Sequence, residues 1–203
     1  MSLLRNILRA LNIVSDAPPF EPRIWIHEDD LGMRSLYPLA SAAEVARDLA
    51  EALETSERSR DPSGFGWNEI HEINPPTIDF AKTDLSLDAA IAALQALLPR
   101  ILRFSAGISS SQASGDDPLA IHEADAWCFG FDATCFIKLE VEAGKLSQIW
   151  FECADAPLEQ ATKLRAGLEA IDALTPCLVA DYWINVTGSV GDPGFMDRYF
   201  AAL

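Results

Sequence analysis

The chain has 203 residues, of which 49% are hydrophobic, and its 15 basic and 31 acidic side chains give a formal net charge of −16. This length and apolar content suit one folded unit with an ordinary core. A negative field of this size repels nucleic acid and anionic lipid, so binding to either is not expected. It favours a cationic ligand or a basic protein partner.

The cysteines and the apolar segments indicate the cellular compartment of the protein. The four cysteines show no spacing typical of a zinc site or of a dithiol motif, and three of them lie in apparent strands. Arg5 and Arg9 interrupt the apolar N-terminal segment, which argues against a signal peptide. No stretch approaches the 18 apolar residues of a membrane-spanning helix. We expect a cytoplasmic protein with reduced thiols.

The first part of the chain alternates strand and helix patterns. Residues 3–11 carry an amphipathic helical stripe that could dock a partner, and residues 23–28 read as a strand. Ser41 and Glu44 fit a capping box that opens a second helix. Residues 67–73 read as another strand, and Ser86 caps a third helix that Pro99 should end. These segments suggest a pair of strand–loop–helix units.

The second part of the chain changes to a strand-rich pattern. Residues 105–118 form a polar loop rich in Ser, Gly and Asp. Beyond it the sequence predicts a three-stranded antiparallel meander at residues 127–132, 135–142 and 145–153. A helix capped by Asp155 follows at 155–174, then a last strand at 177–187 and a closing helix at 192–203.

These patterns predict an α+β fold with a mostly antiparallel sheet packed by several helices. We expect a single domain over residues 1–203. The alternative is a subdivision into residues 1–104 and 119–203 around the polar loop.

All three histidines stand in the same tripeptide, Ile-His-Glu, at residues 26–28, 70–72 and 121–123. In a strand, successive side chains point to opposite faces, so each histidine is separated from its own neighbouring glutamate. The tripeptides therefore predict three strand ends of similar construction.

A different interpretation makes the histidines ligands of one metal ion. His27, His71 and His122 would have to converge, and with nearby Asp29, Asp30 or Glu69 they would form a metal-assisted hydrolase. Their spacing provides no local chelate, since no two histidines stand within one helical turn or in an H-x-H pair. We therefore assign no metal ligand and no catalytic residue, and we expect no cofactor because no cofactor fingerprint is present.

Two groups of residues are predicted to bind a partner instead. The first is an acidic turn where a strand leaves the sheet, and the second is a short polar and aromatic surface. The two groups together are His27, Glu28, Asp29, Asp30, Trp67, Glu69 and His71. The sequence predicts a non-enzymatic, acidic protein-binding module, such as an inhibitor or immunity-type protein that neutralises a basic partner.

Overall fold

The computed structural model describes residues 23–61, 63, 66, 68–69, 71–108 and 120–203. The amphipathic helix predicted at residues 3–11 lies outside them. The helices are α1 (Ala42–Ser59), α2 (Leu87–Gln95), α3 (Leu158–Leu174) and α4 (Pro193–Ala202). The strands are β1 (Arg23–His27), β2 (Arg34–Pro38), β3 (Arg100–Ile101), β4 (Arg103–Gly107), β5 (Ile121–Glu123), β6 (Cys128–Asp132), β7 (Cys135–Glu142), β8 (Lys145–Cys153), β9 (Cys177–Asp181) and β10 (Val186–Ser189).

Seven strands form a large antiparallel sheet in the order β10-β9-β2-β8-β7-β6-β3. The other three form a small mixed sheet, in which β4 lies between β1, to which it is parallel, and β5, to which it is antiparallel. The α+β prediction is therefore confirmed, as is the meander, which is β6-β7-β8.

The main core lies on one face of the large sheet, under α2, α3 and α4. The alternation of the strands directs one set of apolar side chains to this face, where helices with apolar stripes cover it. The buried residues include Ile137, Leu139, Ile149 and Phe151 from the sheet and Leu94, Leu164, Leu168, Ile171 and Met196 from the helices.

The opposite face is also covered, by two different elements. The small sheet packs over β6, β7 and β8, and its Phe104 ring meets the Trp150 ring edge-on with 5.6 Å between centroids. Helix α1 covers β2 and β9, where Val45 and Leu49 pack against Leu178. Both faces of the central strands are thus buried.

Two predictions about the first part of the chain are wrong. Residues 68–69 and 71–73 form no strand, and residues 67 and 70 lie outside the described residues, so the second strand–loop–helix unit lacks its strand. Helix α1 is confirmed, but not its capping box, because Ser41 Oγ donates to the Ile78 carbonyl at 2.6 Å. Glu44 instead accepts from the Thr77 backbone N–H.

Two details of the second part also differ from prediction. Asp155 does not cap α3, since the helix begins at Leu158 after Pro157. The single strand predicted at 177–187 is a hairpin, β9 and β10, joined by a turn in which Asn185 has a φ of 52°. Asn tolerates this left-handed conformation better than most residues.

The large sheet joins the two parts of the chain. Strand β2 lies between β8 and β9, and β3 pairs with β6, so strands from before and after the predicted polar loop share one sheet. Residues 105–107 of the predicted polar loop belong to β4, and residues 109–119 lie outside the described part. No helix in the described residues is long and apolar enough to cross a bilayer.

Candidate functional site

The predicted acidic turn lies directly after β1, as a single 3-10 turn of Glu28, Asp29 and Asp30. His27 caps this turn, because its Nδ1 accepts a hydrogen bond from the Asp29 N–H at 3.3 Å. Glu28 and Asp29 are exposed, whereas Asp30 is half-buried. The imidazole therefore positions the turn, and the three carboxylates remain at the surface.

Asp30 also lines a cavity of about 310 Å³. The acidic turn, the β6–β7 turn, the end of β8 and the turn after β9 surround it. The lining side chains are Ile26, Asp30, Arg34, Ala133, Thr134, Glu152, Ala154 and Trp183. We call this space the acidic cavity.

A buried ionic network forms the floor of the acidic cavity. Arg34 donates through Nε to Asp181 Oδ2 at 2.8 Å and through Nη1 to Glu152 Oε1. Asp181 is fully buried and also accepts from the Tyr199 hydroxyl at 2.9 Å and from the Trp183 N–H at 2.9 Å. The oxygens of Asp181 are therefore saturated, as a buried carboxylate requires.

Glu152 is less completely compensated. Burial raises the pKa of its carboxyl, Arg34 acts in the opposite direction, and Asp30 and Asp181 raise the pKa further. Its Oε1 accepts from Arg34 and from the Cys153 N–H, whereas Oε2 receives no hydrogen bond from the described residues. Arg34 thus pairs with two carboxylates, Asp30 adds a third negative charge near Glu152, and a second cation at this point would relieve the repulsion among the three.

Trp183 forms an aromatic wall of the acidic cavity. Trp183 is 50% exposed, and its backbone N–H donates to Asp181. An indole face beside carboxylates attracts ammonium and guanidinium groups, because the ring quadrupole adds to the Coulomb attraction. The arrangement suits one cationic side chain.

Glu69 and His71, which belong to the second predicted surface, do not line this cavity. Trp67 lies outside the described residues. Glu69 pairs with Arg58 at 3.1 Å, which lowers the pKa of the Glu69 carboxyl, and it also accepts from Ser59. His71 is turned inward, with its Nε2 3.0 Å from Asp48 Oδ1.

Asp48 on α1 collects several contacts at once. Besides His71, it accepts from the Tyr182 hydroxyl at 2.6 Å and from Asn74 Nδ2 at 3.3 Å. Burial raises the pKa of the Tyr182 hydroxyl, and the hydrogen bond to Asp48 raises it further. Since Tyr182 directly precedes Trp183, this cluster fixes the turn that carries the aromatic wall.

The three histidines occupy different environments. His27 ends β1, His71 contacts α1, and His122 on β5 lies 3.1 Å from Ser105 Oγ through its Nδ1. Among the described residues, which include all three histidines, no group of three or more His, Cys, Asp or Glu side chains is placed to hold a metal ion.

A second buried charge lies between the two sheets. Lys138 is 1% exposed, and its Nζ is 2.9 Å from Glu123 Oε1 and 3.0 Å from Glu140 Oε2. Trp150 Nε1 donates to the other oxygen of Glu140 at 2.9 Å. Both glutamates border a second cavity of about 270 Å³ beside Gly32.

Sequence reasoning found Asp30 but missed Arg34, Glu152, Asp181 and Trp183. They come from three distant parts of the chain, since only Asp181 and Trp183 are neighbours in sequence, and these parts meet because β2 lies between β8 and β9. One signal was present, since Asp181 ends an otherwise apolar run, Cys177–Asp181, whose other side chains are buried. A carboxylate in such a run needs a cationic or hydrogen-bonding partner.

The chain matches no protein-family model, no curated protein and no solved structure.

Proposed function

We propose that this protein is a non-catalytic module that binds a basic protein partner, as an inhibitor or immunity-type protein does, and that a cationic side chain of the partner enters the acidic cavity. The observation that carries the proposal is the composition of this cavity. Asp30 and the incompletely compensated Glu152 share it with the half-exposed ring of Trp183. Carboxylates and an aromatic face together select a cation.

The charge of the whole chain supports the same partner. With 31 acidic and 15 basic side chains, the protein attracts a basic surface from a distance and accelerates encounter. Glu28 and Asp29, exposed beside Asp30, concentrate part of this field at the mouth of the cavity. Long-range attraction and the acidic cavity then act on the same cationic side chain of the partner.

The chemistry of the acidic cavity favours binding over catalysis. Its described lining contains no histidine, and its one hydroxyl, on Thr134, donates to Asp132 Oδ1 at 2.7 Å within its own turn. Arg34 is fully engaged with two carboxylates. A nucleophile next to a general base, which hydrolysis by side chains requires, is not present in this set of residues.

A cytoplasmic location is part of the proposal. It is supported by the four cysteines, which are all buried free thiols.

The proposal is tested with a blocked tetra-arginine peptide as the probe. Binding is followed by isothermal titration calorimetry and by the NMR shift of the Trp183 indole N–H. We expect Glu152→Gln and Asp30→Asn to weaken binding by about tenfold each, since each removes a carboxylate that the cation contacts. Trp183→Ala should weaken it by about threefold.

Glu54→Gln is the matched control, because Glu54 is exposed on α1, remote in sequence from every lining residue, and carries the same charge. It should change affinity little. If it weakens binding as much as Glu152→Gln, the peptide senses only net charge and the cavity has no role. A protein that does not bind the peptide at low salt would overturn the proposal.

A further inference from the structure

We infer that Cys135 and Cys153 are a redox-modification site that closes to a reversible intrachain disulfide. The two residues are direct partners in the β7–β8 register. Both are buried free thiols. This site goes beyond partner binding and does not depend on it.

The backbone ladder places the two side chains at a suitable separation. The Ala154 N–H donates to the Thr134 carbonyl at 3.0 Å, so Thr134 and Ala154 form a hydrogen-bonded pair. The next pair, Cys135 and Cys153, is therefore a non-hydrogen-bonded pair. Such pairs bring Cα atoms to about 4.5 Å, with both side chains on the same face. That value lies within the range of about 4.4–6.8 Å found across disulfides.

The Cys153 backbone confirms this assignment. Its N–H does not cross the ladder to Cys135 but donates to Glu152 Oε1 at 2.9 Å. A hydrogen bond between the two thiols shifts their pKa values in opposite directions, so the two side chains interact across the ladder. A disulfide between them is therefore compatible with the register of the ladder.

The same hydrogen bond makes the two thiols chemically different. It lowers the pKa of Cys153, and the Arg34 guanidinium lowers this pKa further, whereas burial and the Glu152 carboxylate act in the opposite direction. It raises the pKa of Cys135, as burial also does. The lowered pKa of Cys153 supports its assignment as the thiol that attacks an oxidant, with Cys135 as the thiol that resolves the product.

With a hydroperoxide as oxidant, the reaction balances in two steps. The Cys153 thiolate attacks one peroxide oxygen, the O–O bond breaks, and hydrogen peroxide leaves water and a sulfenic acid on Cys153. The Cys135 sulfur then attacks the Cys153 sulfur, the S–S bond forms, and the sulfenic oxygen leaves as a second water. Two thiols lose two electrons and two protons, and a small dithiol reverses the change.

Position in the sheet separates this pair from the other two cysteines. Cys135 and Cys153 occupy the last positions of the β7–β8 ladder, beside the turn at Ala133, so opening of one sheet end exposes them. Cys128 faces Lys138 and Cys177 faces Pro38 across their ladders. Burial raises the pKa of both these thiols, which keeps them protonated.

The test treats the 203-residue chain with hydrogen peroxide and counts thiols after denaturation. We expect two of the four thiols to be lost and to return with dithiothreitol. Digestion with trypsin and an Asp-specific protease separates Cys128 from Cys135, because Asp132 lies between them. Mass spectrometry should then find one linked peptide pair, containing Cys135 and Cys153.

Variants assign the roles of the two thiols. Cys135→Ser should stop at a sulfenic acid on Cys153, which dimedone traps, and Cys153→Ser should abolish the reaction. Cys128→Ser and Cys177→Ser are the controls and should still lose two thiols. If a variant does not fold, the peptide map of the wild-type chain decides. An intermolecular disulfide, a different cysteine pair, overoxidation without a disulfide, or four unreacted thiols would each overturn the inference.

Discussion

Lys138 and Glu123 form an ion pair of 2.9 Å across the gap between the large and the small sheet. Lys138 is 1% exposed and projects from β7, whereas Glu123 projects from β5 and is about one third exposed. The Nζ atom of Lys138 also lies over the Phe104 ring, 5.2 Å from the ring centroid. This ion pair therefore fixes where the small sheet lies on the meander.

Lys138→Met should reduce the free energy of unfolding by about 3 kcal/mol, because it leaves two carboxylates beside an apolar cluster without their cation. Urea denaturation followed by circular dichroism measures the change. Adding Glu123→Gln and Glu140→Gln to Lys138→Met should recover most of the loss. Lys145→Met, at an exposed position of the next strand, is the control and should change stability by less than about 0.5 kcal/mol. An equal loss in both lysine variants would contradict the role of the buried ion pair.

The pKa of Glu152 predicts a pH dependence of stability. Because this pKa is raised above its ordinary value of 4.5, the folded chain holds the proton more tightly than the unfolded chain does. The resulting stabilisation is complete below the ordinary pKa and is lost as pH rises through the folded-state pKa. Urea denaturation from about pH 4 to about pH 7 should therefore show the wild type losing stability relative to Glu152→Gln. A constant difference between the two proteins would show that burial does not perturb this carboxyl.

Gly130 on β6 leaves no space for a side chain. A Cβ atom there would collide with the Cys135 carbonyl oxygen and would lie 2.5 Å from Phe136 Cα, both of which are backbone atoms that cannot turn aside. Gly130→Ala should cost about 2 kcal/mol or more of unfolding free energy, measured by thermal and urea denaturation. Gly107→Ala is the control, because an added Cβ there would lie 3.4 Å from the Cβ of Ala120, which is an ordinary van der Waals contact. If both variants are equally stable, the β6–β7 turn adapts more freely than its geometry implies.

Asp48→Ala should release the segment at residues 71–76 from α1, because His71 and Asn74 both lose their acceptor. We expect faster hydrogen–deuterium exchange in this segment and a loss of about 3 kcal/mol in unfolding free energy. Glu51→Ala, one turn further along the helix at an exposed position, provides the comparison. Unchanged exchange at residues 71–76 would mean that other contacts hold the segment.

The fold elements that could be predicted are those whose signals are local. Ser86 illustrates this, since its extended backbone lets its side chain accept from the Ala89 N–H at 3.2 Å and cap α2 as expected. Ser41 carries the same local signal, but its hydroxyl bonds to Ile78, 37 residues away. Ser41 therefore differs from Ser86 through a tertiary contact, which no local sequence pattern contains.

The candidate site was predictable only in part, for a related reason. The acidic turn was visible because Glu28, Asp29 and Asp30 are consecutive. The strand period correctly gave the meander one apolar and one mixed face, yet the mixed face is buried by the small sheet, which encloses Lys138. Elements distant in the chain determine which charged side chains are buried, and the periodicity of a single strand does not contain this information.

The position of β2 has a consequence for how the protein is made. Ser35 pairs with Trp150 on one side and with Ala180 on the other, so a chain emerging from the ribosome carries β2 without one neighbour until β8 is synthesised and without the other until β9 is synthesised. The hairpins of the meander connect nearby residues and can form early, whereas β2 must wait for β9. We expect slow folding in which the pairing of β2 with β9 forms last.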